Sequence, residues 1–282
     1  MPMARNQPEN QPKKKSVVFA DNDQLCLEAV GEFLREKGFE VHLACDGLEA
    51  LLAVRKLRPD YVILDIVMPK LDGARVCWLI RQDPSLRDTP VLAFSSLSPQ
   101  DFRRFPSLSA DAYVAKGPLA TTTQHILDAI EYLDRKGHGK GQIEDGIFGY
   151  DQQRPRQVVG EMLDEKQRQA NLFRAFGAGA LELDSGGRIL TANPWACQIL
   201  GRKEQQLIGE SLSSLCPKRD RKVVEELMAV LVKAASPEDV RTTVNLGEEV
   251  VALRLSSIVM DDECTGFLAV FEPTDPLPKV SD

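Results

Sequence analysis

Tyr61-Val62-Ile63-Leu64-Asp65-Ile66-Val67-Met68-Pro69-Lys70-Leu71-Asp72-Gly73 is the stretch that decides the fold. It begins with four apolar residues, a run too short for a helix and suited to a strand buried on both faces. That strand delivers a carboxylate, Asp65, at its carboxyl end.

The same pattern repeats outward. Upstream, Ser16–Ala20 is another short apolar run, and it ends in Asp21-Asn22-Asp23. Cys26, Ala29, Val30, Phe33 and Leu34 then recur at the spacing of a one-sided helix, which Gly38 stops. Glu40–Ala44 reads as a second strand and Leu48–Leu57 as a second helix. Downstream, Arg75–Arg81 is helical and Val91–Phe94 is a fourth strand, ending at Ser95. Ser98-Pro99 joins an N-cap to a first-turn proline, opening a helix that Pro106 cuts short. Ala112–Ala115 is a fifth strand, followed by Lys116, and a last helix from about Thr121 to Asp134 carries Ile126, Ile130 and Leu133 on one face.

Apolar strands alternating with amphipathic helices predict an α/β domain, a parallel sheet covered on both sides. In such sheets ligands sit beyond the carboxyl ends of the strands. Asp21, Asp65, Ser95 and Lys116 all terminate strands, so they are expected to converge at one rim. Two carboxylates at close range repel, and a divalent cation such as Mg²⁺ relieves that repulsion. The Ser95 hydroxyl can donate to a phosphoryl oxygen, and the Lys116 ammonium can neutralise another. Phosphoryl transfer needs mainly positioning and charge neutralisation, and this set supplies both.

Residues 16 to about 135 resemble the receiver domain of two-component response regulators. Asp65-Ile66-Val67-Met68-Pro69-Lys70-Leu71-Asp72-Gly73 carries the family's D-x-x-M-P-x-x-D-G signature, and the spacings from Asp21 through Asp65 and Ser95 to Lys116 follow it. The resemblance implies a doubly wound, flavodoxin-like five-stranded sheet in the order 2-1-3-4-5. It implies Asp65 as phosphoacceptor, and a Mg²⁺ site from Asp21, Asp65, the position of Asn22 and the backbone carbonyl of Val67. By the same likeness Ser95 is the switch hydroxyl, Tyr113 the switch aromatic and Lys116 the phosphate-contacting lysine.

The sequence departs from the family pattern in three places. Asn22 stands where a second metal-ligating acid is usual, and its amide coordinates without charge, so weaker metal binding is expected. Asp23 could compensate or could cap the first helix. Gly117 replaces the proline that commonly follows the lysine, with Pro118 displaced by one. The short helix after Ser98 differs in a region that often forms partner contacts in the family.

Beyond Arg135 the chain turns polar and glycine-rich to about Gln157, which reads as a flexible linker. Val158, Val159, Met162, Leu163, Ala170, Phe173 and Phe176 then suggest an amphipathic helix. Leu181 and Leu183 alternate with Glu182 and Asp184 as a half-buried strand, Ser185-Gly186-Gly187 turns, and Arg188–Ala192 returns. Asn193-Pro194 opens a short helix, further helices run to about Ala235, and three strands follow at about 240–246, 249–259 and 265–272. That order predicts an α+β domain, an antiparallel sheet with helices on one face. Together with the string Glu182–Pro194 and the later Leu207-Ile208-Gly209, it looks like a PAS domain over about Leu172–Pro273.

PAS domains sense small molecules, light or redox state, or relay signals between proteins. His42, His125 and His138 are the only histidines and all precede this domain, which excludes a histidine-ligated haem there. Cys197, Cys216 and Cys264 are read as packed thiols and Trp195 as a packed aromatic, and the PAS ligand stays unknown. The six cysteines are scattered without a CxxC pair, as suits reduced, mostly buried thiols.

The divisions expected are a tail at 1–14, the receiver at 15–136, the linker at 137–157, the PAS-like domain with its N-terminal helix at 158–275, and a tail at 276–282. At 282 residues and 43% hydrophobic content the chain suits two globular domains, and its net charge of −7 gives no general pull toward nucleic acid or anionic membrane. The lysines at 13–15 sit in the polar tail. No apolar run spans a bilayer, and a cytoplasmic protein without an enzymatic output is expected. The function expected is a phosphorelay response regulator. A histidine kinase or phosphotransfer protein would donate to Asp65, and the PAS domain would relay the signal to a protein partner. The alternative is a PAS ligand sensor whose receiver is degenerate or a phosphate sink. Both domain families often pair, which leaves a homodimer open.

Overall fold

The computed structural model describes residues 14–96, 108–136, 146–149, 168–233, 239–246 and 249–273. The chain divides into two units, Met1–Arg154 and Pro155–Asp282. The helix expected after Ser98, the residues Val158–Leu163 and both expected tails, apart from Lys14, lie outside the described residues.

The first unit alternates β1 (Ser16–Ala20), α1 (Gln24–Glu36), β2 (Glu40–Ala44), α2 (Gly47–Leu57), β3 (Tyr61–Asp65), α3 (Gly73–Gln82), β4 (Val91–Ser95), β5 (Ala112–Ala115) and α4 (Leu119–Lys136). A short β6 (Ile147–Phe148) follows. Every pairing is parallel, in the order β2-β1-β3-β4-β5-β6. The expected order is therefore present with one strand more than the sequence indicated. Two apolar residues between glycines carry no periodicity, so β6 is invisible until β5 offers it an edge. It falls within the stretch read as linker.

Acidic side chains start α1, α2 and α3. Asp23 Oδ1 accepts from the amides of Leu25 and Cys26, Asp46 from Glu49, and Asp72 from Arg75. Each occupies orphan donors of a first turn, worth about 1 kcal/mol. Asp23 is thus a cap. Strands β3 and β4 are buried along their whole length, as expected for a sheet covered on both faces. Phe19 and Phe94 meet edge to face with ring centroids 5.8 Å apart, anchoring β1 and β4 in the core. Such fully buried side chains stabilise by about 1.5–3 kcal/mol each.

The second unit opens with α5 at 168–175. It continues with β7 (Gly179–Asp184), β8 (Ile189–Ala192), α6 (Pro194–Ile199), α7 (Glu204–Leu207), α8 (Leu212–Leu215), α9 (Lys218–Lys233), β9 (Asp239–Leu246), β10 (Glu249–Met260) and β11 (Glu263–Pro273). The strands form one antiparallel sheet in the order β8-β7-β11-β10-β9. Phe267, Phe271, Leu181 and Leu253 pack against Leu207, Val224 and Leu231 between sheet and helices. Asn193 is wholly buried at the start of α6. Its Oδ1 accepts from Ala196 N at 2.8 Å and Ala180 N at 3.0 Å, while Nδ2 donates to Ala178 O at 2.7 Å. The Asn-Pro pair is therefore a cap that also ties the helix to β7.

Two sequence readings change here. Trp195 is 42% exposed rather than packed. Among the free thiols, only Cys77 and Cys216 are buried, Cys26, Cys197 and Cys264 are half-buried, and Cys45 is exposed.

Candidate functional site

The four residues predicted to converge do so, because a parallel sheet brings all its carboxyl ends to one rim. Asp65 is the last residue of β3 and Ser95 the last of β4, while Asp21 and Lys116 directly follow β1 and β5. Asp21 and Ser95 are buried. Lys116 Nζ lies 2.8 Å from Asp21 Oδ2 and 2.8 Å from Asp65 Oδ2, bridging the carboxylates. Its backbone N–H donates to Ser95 O at 2.9 Å, locking the lysine loop to the end of β4. The ammonium also stands 5.1 Å from the Phe94 ring centroid.

The loop after β3 is shaped by close approach. A Cβ on Gly73 would lie 2.1 Å from the Asp65 carbonyl oxygen, so only glycine fits at the start of α3. The amide of Gly73 donates to Ile66 O at 3.0 Å, and that of Val67 to Asp65 Oδ1 at 3.3 Å. Asp72, capping α3, fixes the same turn. The Asp-Gly at the end of the signature is therefore a packing requirement around the acidic residue that opens it.

Burial pushes the Asp65 carboxyl above the ordinary carboxylate range, partly offset by the charge and hydrogen bond of Lys116. For Lys116, burial works against the charged form, but Asp65 and Asp21 outweigh it and hold the ammonium above its usual value. Cys26 was not identified from the sequence as a neighbour of the site. Burial and then the Asp21 charge push its thiol up to about 12. The signal for it was its place in the first turn of α1, directly beyond Asp21.

Two carboxylates face one ammonium, so the site keeps an excess negative charge. Asp21 Oδ2 is buried, with the Lys116 ammonium 2.8 Å away. An oxygen so placed fits a hard cation that prefers carboxylates and water, as Mg²⁺ does. Asn22 is exposed beside it. Among the described residues no three His, Cys, Asp or Glu side chains gather as a metal cluster. Tyr113 is buried, and its hydroxyl donates to Leu108 O at 3.4 Å. No helix among the described residues is long and apolar enough to cross a membrane.

A response regulator receiver domain model matches residues 17–131 and a PAS fold model matches 167–274. The gliding motility regulatory protein of Myxococcus xanthus is 35% identical over 122 residues, which is 43% of this chain but only 15% of that protein. The polar-differentiation response regulator DivK of Brucella anthropi is 30% identical over 103 residues, covering 36% of this chain and 84% of the relative. The solved structure of the Vibrio cholerae chemotaxis response regulator CheY4 is 26% identical, covering 42% of this chain and 98% of its own, with a TM-score of 0.39. The chain belongs to the response regulator family, with a receiver domain followed by a PAS domain.

Proposed function

We propose that Asp65 accepts a phosphoryl group from a phosphohistidine on a histidine kinase or phosphotransfer protein. An Asp65 carboxylate oxygen attacks phosphorus, an O–P bond forms, and the donor's N–P bond breaks. The leaving imidazole keeps the electron pair and takes a proton from solvent. The observation that carries this reading is the Lys116 bridge, 2.8 Å from both carboxylates. It places a cation where the phosphoryl charge arrives. Ser95, at the neighbouring strand end, would donate to a phosphoryl oxygen.

Asp21, Asp65, Asn22 and the Val67 carbonyl would hold Mg²⁺, which supplies charge neutralisation for the incoming phosphoryl oxygens. The PAS domain would serve as the relay to a protein partner. The negative overall charge points to a protein rather than a nucleic acid as that partner, and the site chemistry to a cytoplasmic phosphorelay.

The test is intact mass after incubation with acetyl phosphate and Mg²⁺, beside Asp65→Asn. A single phosphoryl adduct in the parent and none in the variant is expected. An adduct that persists in the variant overturns the assignment.

A further inference from the structure

Without β6, the strand β5 would be the open edge of the first unit's sheet. An uncovered edge presents N–H and C=O groups to any extended chain. Here the edge is covered from within: Ile147 and Phe148 pair in parallel with Tyr113 and Val114. Phe148 stands edge-on to Tyr132, with ring centroids 5.9 Å apart. Gly149 adopts φ of +78°, and a Cβ on it would lie 2.4 Å from His125 Nδ1. Glycine alone meets both demands, so this short strand is fitted to its seat. Both Ile147 and Phe148 remain half-buried, with Phe148 packed on the margin of the core, so the strand is held by few contacts.

Strand β5 links this contact to Asp65. Tyr113 and Val114 pair on their other side with Ala93 and Phe94 of β4, and two residues later Lys116 reaches Asp65. The strand order places β3 and β6 on opposite sides of β5. A phosphoryl group on Asp65 adds charge and acceptor oxygens on the β3 side. Lys116 and the end of β5 are drawn toward that group and away from β6.

We propose that residues 146–149 form a releasable clasp on the β5 edge, docked while Asp65 is unmodified and loosened when it is phosphorylated. Release exposes the β5 edge. The proposal rests on Asp65 being the phosphoacceptor. Because coupling is reciprocal, weakening the clasp must also favour the loaded state of Asp65.

The test is hydrogen exchange of the segment around Ile147 and Phe148 in the full chain, with and without beryllofluoride and Mg²⁺. Fluorine NMR reports the loading of Asp65 independently. Loading is expected to lower protection of this segment by about fivefold or more, the lower end of ordinary allosteric coupling. Gly149→Ala, which strains the seat, and Phe148→Ala, which only truncates a side chain, are each expected to lower protection beforehand and tighten beryllofluoride binding. A loaded Asp65 with unchanged or increased protection overturns the clasp while leaving the phosphoacceptor intact. Failure of beryllofluoride to load overturns the reading of Asp65, and control of the clasp with it.

Discussion

Lys116 and Asp65, 51 residues apart in sequence, meet at 2.8 Å through Nζ and Oδ2. The same ammonium is 2.8 Å from Asp21, so one lysine holds two carboxylates together at the rim of the sheet. Lys116→Met leaves that pair unscreened. It is expected to destabilise the first unit by about 3 kcal/mol, the usual cost of breaking a buried ion pair. Urea unfolding measures the loss, and added Mg²⁺ is expected to recover part of it.

The same contact predicts a pH dependence. Lys116 is held above the ordinary lysine value of 10.5. A folded value above the unfolded one means that its contribution is complete below the unfolded value and is lost as pH rises through the folded one. Unfolding free energy followed across alkaline pH is expected to fall more steeply in the parent than in Lys116→Met. Parallel curves would show that Lys116 contributes nothing to the alkaline loss.

Asn22→Asp adds a third acidic side chain to the proposed Mg²⁺ site. Mg²⁺ affinity by calorimetry is expected to rise about tenfold, equivalent to about 1.4 kcal/mol. Without Mg²⁺ the variant is expected to be less stable than the parent, because like charges are added beside Asp21.

Gly73→Ala forces a methyl group into the Asp65 carbonyl. Backbone displacement of this kind costs about 1–3 kcal/mol. The variant is expected to melt earlier and to form the acetyl phosphate adduct more slowly, since the displaced backbone is that of Asp65 itself. An unchanged adduct rate in a destabilised protein would confine Gly73 to a packing role.

Asn193→Ala removes a cap and leaves the buried backbone amides of Ala180 and Ala196 and the half-buried carbonyl of Ala178 without this partner. An unmade buried hydrogen bond costs about 1–3 kcal/mol, so a loss of about 3 kcal/mol is expected in the second unit. Denaturant unfolding is expected to show the effect there, with acetyl phosphate reactivity of Asp65 unchanged.

The sequence by itself determined the order of the elements and which residues end the strands. Local physics suffices for that: an unbroken apolar run such as Tyr61–Leu64 can only be buried, and a parallel sheet gathers its carboxyl ends. The signature from Asp65 to Gly73 carried the family, and Asn193-Pro194 marked its helix start correctly. What only the tertiary structure decided depends on groups distant in sequence. Asp23 was open between metal and cap until α1 was built on it. Lys116 was expected to meet a phosphoryl oxygen, and its bridging of Asp21 and Asp65 follows from where three strands end in space. The seat of Tyr113, buried with its hydroxyl on Leu108 O, is likewise set by tertiary packing. The strand Ile147–Phe148 has no periodicity of its own, because its stability comes from hydrogen bonds to an edge more than thirty residues upstream.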